Sequence, residues 1–278
     1  MRITFKYLVI TCLLLLFAQV AYSEITLREL TVDASLEKDG SATVRETYVL
    51  NVIGNQSMDK YNMNIQYLQK NDLQTWLNNL QFSELKYHIG GREAPISDLI
   101  ITPSPLYGIN YYTEEALAKI ILDYKVQVPV QVDNESRGLF IVTNPKPRIT
   151  RYTLNTKGLN FETTETGDII LPEGTTLTFD LYRGMYIVYV QPLPGNINTT
   201  RVSDIKSDTL TWSSTGILPK YVLILEYEQP LDQEITDYIE GLNKNAYDLI
   251  TGREGLPIII IVVIAIVSLA YWHRMRNK

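Results

Sequence analysis

Residues 118–130 read Ala-Lys-Ile-Ile-Leu-Asp-Tyr-Lys-Val-Gln-Val-Pro-Val. Ala118, Ile120, Leu122, Tyr124, Val126, Val128 and Val130 take every second position, with mostly polar residues (Lys119, Asp123, Lys125 and Gln127) between them. Successive side chains of a strand point to opposite faces of a sheet, so this run has one buried face and one wet face. Glu114 to Lys119 is helix-friendly locally, but the period is two, and a strand is expected from about residue 118.

The same alternation opens the exported part of the chain. Ile25, Leu27, Leu30, Val32, Ala34 and Leu36 lead into Lys38-Asp39-Gly40-Ser41, and Ala42, Val44, Thr47, Tyr48 and Leu50 return. Asp-Gly between two such runs is a hairpin signal, because glycine accepts the positive φ of a tight turn. Strands are expected at Leu85–Ile89 and Ile96–Thr102 around Gly90-Gly91. Others follow at Leu139–Thr143, Arg148–Leu154, Asn160–Thr163, Asp168–Leu171, Thr175–Leu181, Met185–Val190, Thr209–Ser213 and Tyr221–Glu228. Turn signals every 8 to 12 residues are the spacing of a β-sandwich. Gln56–Phe82 interrupts this pattern. There Leu73, Trp76, Leu77 and Leu80 fall at i, i+3, i+4 and i+7 behind Asn71, a short amphipathic helix packed on a sheet. Trp76 reads as a core residue, with a ligand-stacking platform as the alternative. The expected fold class is mainly β: two stacked β-sandwich (Ig-like) lobes, 24–145 and 146–230, joined near 144–158, the first carrying the helical insert. One larger sandwich with a helical insert fits the same spacing.

Both termini point to the membrane. Leu256–Trp272 is uncharged, and its 17 residues span about 25 Å as a helix, near the lower limit for crossing a bilayer. Tyr271 and Trp272 suit the headgroup level, and Arg274, Arg276 and Lys278 in the 273–278 tail place that tail in the cytoplasm. Residues 231–255 show helical periodicity through Leu231, Ile235, Tyr238, Ile239, Leu242, Ala246, Leu249 and Ile250, a juxtamembrane helix that packs back on the body or pairs with another chain. Arg2 and Lys6, the apolar run Tyr7–Phe17 and Ala21-Tyr22-Ser23 form a signal peptide over residues 1–23, cleaved before Glu24. An uncleaved first membrane helix is the rival reading. The expected topology is single-pass in the cell membrane, with the N-terminal domain outside.

All 31 Asp and Glu lie between Glu24 and Gly255, with 20 of the 25 Lys and Arg, so the exported part carries eleven excess negative charges. That sign repels nucleic acid and excludes it as a partner. The single cysteine, Cys12, leaves with the signal, so neither disulfides nor thiolate metal sites are expected outside. A disulfide-free exterior of this size favours a prokaryotic source, and abundant Ile, Tyr and Asn lean toward an archaeon. Asn55, Asn134 and Asn198 each begin an Asn-x-Ser/Thr triplet in a polar stretch and are candidate glycosylation sites.

Asp39-Gly40-Ser41 followed by Val44 and Glu46 resembles the opening of a domain of unknown function found at the exported start of predicted prokaryotic membrane proteins. Leu171-Pro172, Gly174, Trp212 and Leu218 echo it later. More broadly the chain is similar to uncharacterised archaeal single-pass surface proteins with a signal peptide and a β-rich exterior. The resemblance implies an architecture and no activity.

Motifs of catalysis are few. With His88 the one histidine outside the tail and no Gly-x-Ser-x-Gly, a Ser-His-Asp triad is not indicated, and His-Glu-x-x-His is missing. Glu162, Glu165 and Asp168 could serve as paired carboxylates on a glycan, or as Ca²⁺ ligands, but on an acidic surface they read as a solvated turn. No cofactor is implied. Among nineteen tyrosines, Tyr107, Tyr111 and Tyr112 share one Pro/Gly/Asn-rich loop, and loop tyrosines offer large contact area at small entropic cost. The expectation is therefore a non-enzymatic, membrane-anchored β-sandwich protein that meets an unknown protein or envelope polymer. A carboxylate-using glycan enzyme and an accessory subunit of a membrane complex are the alternatives.

Overall fold

The computed structural model describes residues 24–68, 70–132, 135–197, 207–213 and 216–230. The expected signal peptide (1–23), juxtamembrane helix (231–255), membrane span (256–272) and tail (273–278) lie outside the described residues. Among those described, no helix is long and apolar enough to cross a membrane.

Among the described residues, sixteen strands and two α-helices make the fold mainly β. In order they are β1 (Glu24–Leu36), β2 (Ala42–Ile53), α1 (Asn55–Tyr67), α2 (Leu73–Leu80), β3 (Ile96–Pro103), β4 (Tyr107–Asn110) and β5 (Glu115–Val126). After these come β6 (Val130–Val132), β7 (Glu135–Arg137), β8 (Phe140–Lys146), β9 (Ile149–Leu154), β10 (Glu162–Thr163) and β11 (Ile169–Ile170). The last five are β12 (Thr175–Asp180), β13 (Met185–Gln191), β14 (Thr209–Ser213), β15 (Ile217–Leu218) and β16 (Val222–Glu228).

The main sheet runs β14-β12-β1-β2-β5-β3, with β4 also paired to β5. β1 and β2 form the Asp-Gly hairpin. Gly40 takes φ 83°, and the Asp39 carboxylate accepts hydrogen bonds from the Ser41 N–H (2.9 Å) and Oγ (2.6 Å). The apolar parity of β1 changes between Leu27 and Leu30, and there the register slips, Leu27 facing Leu50 but Glu29 facing Val49. This bulge returns the apolar residues to one face. β5 pairs antiparallel with β2 along its whole length, and Ala116, Ala118, Ile120, Leu122, Tyr124 and Val126 are all buried. It ends earlier than its alternation suggests. The Gln127 N–H turns to the Pro95 carbonyl, and Val128 is exposed.

β12 lies parallel to β1, Leu30 opposite Thr175 and Ser35 opposite Asp180. Strands from either side of residue 145 therefore share one sheet, and an N-terminal lobe separate from a C-terminal one, divided at 145/146, is not how they are arranged. The cause is non-local: β12 buries Leu177 and Phe179 on the same face as Val32 and Ala34. A second sheet, β13-β16-β9-β8, packs on that face through Phe140 against Phe179 (6.5 Å between rings), and Trp212 joins Phe179 to Tyr221. Trp76 and Tyr61 bring α2 and α1 into the same core, so Trp76 is a packing residue.

Two local expectations change. Leu85–Ile89 is irregular, with only an isolated bridge from Ile89 to Leu159. α1 is a helix that apolar periodicity does not announce, because its buried face includes Ser57 and Asn64 beside Met58 and Tyr61. For α2 the cap is Asp72, whose carboxylate accepts from the Thr75 N–H at 3.1 Å.

The described residues divide into two compact units: those from Glu24 to Pro145 with Thr150–Tyr227, and Lys146–Ile149 with those from Glu228 to Pro230. In the second, the Arg148 guanidinium donates to the Gln229 carbonyl (2.8 Å) and the Gln229 N–H returns a bond to the Arg148 carbonyl (2.8 Å).

Candidate functional site

β2 turns Ala42, Val44, Glu46, Tyr48, Leu50 and Val52 inward, one carboxylate in an otherwise uncharged row. Glu46 is 0 % exposed. Its Oε1 accepts from the His88 backbone N–H (2.6 Å) and from the Tyr124 hydroxyl (2.5 Å). Its Oε2 takes the Tyr48 hydroxyl (2.7 Å) and lies 2.9 Å from His88 Nδ1. Burial pushes the Glu46 carboxyl up, but the hydrogen bond and charge of His88, followed by the bonds from Tyr124 and Tyr48, outweigh it and hold the group below its usual range. Burial first, and then the adjacent Glu46, push both tyrosine hydroxyls well above theirs.

The cluster solves a backbone problem. Residues 81–95 connect α2 to β3 without regular structure, and part of that path is buried. Buried main-chain groups need partners. Glu46 supplies one for the His88 N–H, and the Tyr48 and Tyr124 hydroxyls, each sharing its single proton with Glu46, also face the Lys86 carbonyl and the Ile89 carbonyl (2.6 Å). From the other side the Asn160 N–H donates to the His88 carbonyl (2.8 Å), and the His88 ring stacks obliquely on Phe161 (4.9 Å). With Glu46, Tyr48, Tyr124 and His88 all buried, this geometry holds a crossing segment in place and offers no reacting group to solvent.

The carboxylates of the 162–168 segment sit on a solvated turn. Gly167 and Thr164 close it, Glu162 and Glu165 are exposed, and Asp168 accepts from the Lys220 N–H (2.8 Å) and the Thr166 hydroxyl (2.8 Å). Those two bonds hold the Asp168 carboxyl below its usual value. No group of three metal-binding side chains occurs among the described residues.

Tyr107, Tyr111 and Tyr112 lie on one hairpin. Tyr107 lies on β4 at 40 % exposure, while Tyr111 and Tyr112, in the turn that follows, are 80 % and 101 % exposed. The turn is held by Asn110, whose Oδ1 accepts from the N–H groups of Tyr112 (3.0 Å) and Thr113 (3.4 Å), and by the Gly54 N–H donating to the Glu114 carbonyl (2.7 Å). Register puts this hairpin at one end of the main sheet, where Glu24, Ile53 and Glu115 lie side by side. Tyr227 is at the other end, beneath the Lys38 ammonium of the β1–β2 turn (5.3 Å). β1 alone, at 13 residues, separates the two ends by about 40 Å.

At that second end a cleft of about 860 Å³ lies between the β1–β2 turn and the end of β5, lined by Lys38, Asp39, Ser41, Lys125, Val128 and Tyr182. The turn beside it is fixed from behind: the Tyr152 hydroxyl donates to the Lys38 carbonyl (2.5 Å). Of the glycosylation candidates, Asn55 is exposed as the first residue of α1, whereas Asn134 and Asn198 lie outside the described residues.

No protein-family model matches the chain, and no curated protein matches it. The Asp39-Gly40-Ser41 and Val44-x-Glu46 motif does have a structural meaning here: its first half closes the hairpin and its second half supplies a core residue and the buried carboxylate. Sequence reasoning missed the second role. Its signal was a glutamate at an inward position of an alternating strand.

Proposed function

We propose that this chain is an extracytoplasmic β-sandwich protein held by one C-terminal membrane span, and that it acts by binding through Tyr107, Tyr111 and Tyr112. The observation that carries this reading is the exposure of Tyr111 and Tyr112 on a turn already held by Asn110. Large apolar rings left in water on an ordered loop have been positioned before any partner arrives, which reduces the entropy lost on contact. The signal peptide, the 256–272 span and the resemblance to exported prokaryotic domains support the cell-surface location.

A photo-crosslinking residue at position 112, with the exposed position 63 on α1 as a control, tests the surface in intact cells. The expected result is a discrete adduct from position 112 alone. Equal labelling from both positions, or none from position 112, overturns it. Protease added to intact cells tests the topology: residues 24–230 are expected to be digested without lysis.

A further inference from the structure

We infer that the partner met by the tyrosine hairpin is a neutral polysaccharide, an inference that rests on the proposed contact surface. Three observations lead there. The first is charge. Leu99–Thr113 contains no ionisable group except its tyrosines, in a chain one fifth of whose residues are charged. The residues that flank the turn, Glu114 and Glu115, are both acidic and exposed. A polyanion or an anionic lipid surface meets repulsion from them and from the acidic body, and an uncharged ligand does not.

The second is size. At ~200 Å² for a fully exposed aromatic side chain, the three tyrosines and the partly exposed Ile109 offer roughly 500 Å². That area suits a few sugar rings, whose weak individual contacts add along a polymer, whereas the ~800 Å² that a folded protein takes from each partner would draw in the surrounding surface as well.

The third is chemistry. Sugars present C–H faces that stack on aromatic rings and hydroxyls that seek amides. Here Tyr111 and Tyr112 make no ring contact with another aromatic among the described residues. Asn110 spends its oxygen on the turn, and its amide N–H₂ makes no hydrogen bond among the described residues. A protruding edge of rings with one amide beside it suits the side of an extended chain better than the end of a small molecule.

The test is affinity electrophoresis of the detergent-solubilised full-length chain in native gels containing mannan, dextran or hydroxyethyl cellulose, with alginate as the charged comparison. At least one neutral polymer is expected to retard the protein. Tyr111→Ser/Tyr112→Ser is expected to weaken that retardation at least about tenfold, and Asn110→Ala to weaken it through the loosened turn. Met63→Ser is expected to leave it unchanged. Retardation by none of the neutral polymers, equal retardation of the tyrosine variant, or stronger retardation by alginate overturns the inference. If the position-112 crosslink yields a protein adduct, the contact surface stands and the polysaccharide falls; if crosslinking and retardation both fail, both fall.

Discussion

The carboxylate of Glu46 grips both the main chain and the ring of His88, 2.6 Å from its backbone N–H and 2.9 Å from its Nδ1. One side chain on β2 thus fixes the position and the orientation of a residue 42 positions later. Because the pair is enclosed, its worth lies less in net attraction than in the cost of leaving either group alone.

Glu46→Ala is accordingly expected to lower stability by about 3–5 kcal/mol, the range for removing one partner of a buried pair. Urea unfolding followed by tryptophan fluorescence measures this, since Trp76 and Trp212 both lie in the core. A double-mutant cycle with His88→Ala is expected to give a coupling above ~1 kcal/mol. Additive single effects would mean that the two residues stabilise the fold separately.

The pH dependence follows from the same site. The Glu46 carboxyl is held below its ordinary value in the folded chain, so the unfolded state binds its proton first as pH falls. Its contribution is complete above the unfolded carboxyl value of about 4.3 and is lost as pH drops through the depressed folded value. The urea midpoint of the wild type should fall between pH 5 and 3 more steeply than that of Glu46→Gln. On the alkaline side Tyr48 and Tyr124 are pushed up, chiefly by burial. The stability they contribute is complete below about pH 10 and is lost as pH rises beyond it. Tyrosinate absorbance near 295 nm should therefore appear for these two rings only with unfolding.

How much of this was legible beforehand depends on how local each feature is. β5 could be read because a strand with one dry face writes its period into the sequence, and even the β1 bulge is visible as the parity change between Leu27 and Leu30. α1 was hidden because Ser57 and Asn64 occupy its buried face, where a hydrophobic-periodicity reading sees nothing. Leu85 and Ile89 looked like strand residues, being apolar and spaced by an even number. They are buried instead in a loop whose hydrogen bonds go to side chains. The parallel pairing of β1 with β12 joins residues about 145 positions apart, and no short window records it. Of the candidate sites, the tyrosine loop was legible from composition. The Glu46 cluster was not, since it needs β2, β5 and the 81–95 segment at once.

Phe179 is where the two sheets meet, in edge contact with Phe140 of the second sheet and with Trp212 on its own. Phe179→Ala is expected to cost about 3–5 kcal/mol, because the surrounding rings cannot close the cavity. Phe179→Leu, which keeps most of the volume, should cost under half of that. A loss below ~1 kcal/mol for the alanine variant, measured by urea unfolding, would mean that the sheets do not pack through this residue.

Two glycines separate backbone conformation from crowding. Gly174 has φ +75°, and a Cβ built there would stand 2.6 Å from the Arg28 carbonyl oxygen, which belongs to β1 and cannot swing away. Gly167 has a similar φ of +83°, but nothing lies within 4 Å of its Cβ position. Gly167→Ala should therefore show only the left-handed penalty, about 1 kcal/mol. Gly174→Ala adds displacement of a β1 carbonyl at the parallel β1–β12 junction, where the Leu30 N–H also bonds to the Gly174 carbonyl (3.1 Å). It is expected to cost at least twice as much and to raise amide hydrogen exchange at Leu30 and Val32. If both variants lose the same stability, the close approach of residue 174 to β1 is wrong, and the parallel pairing that joins the two halves of the chain is wrong with it.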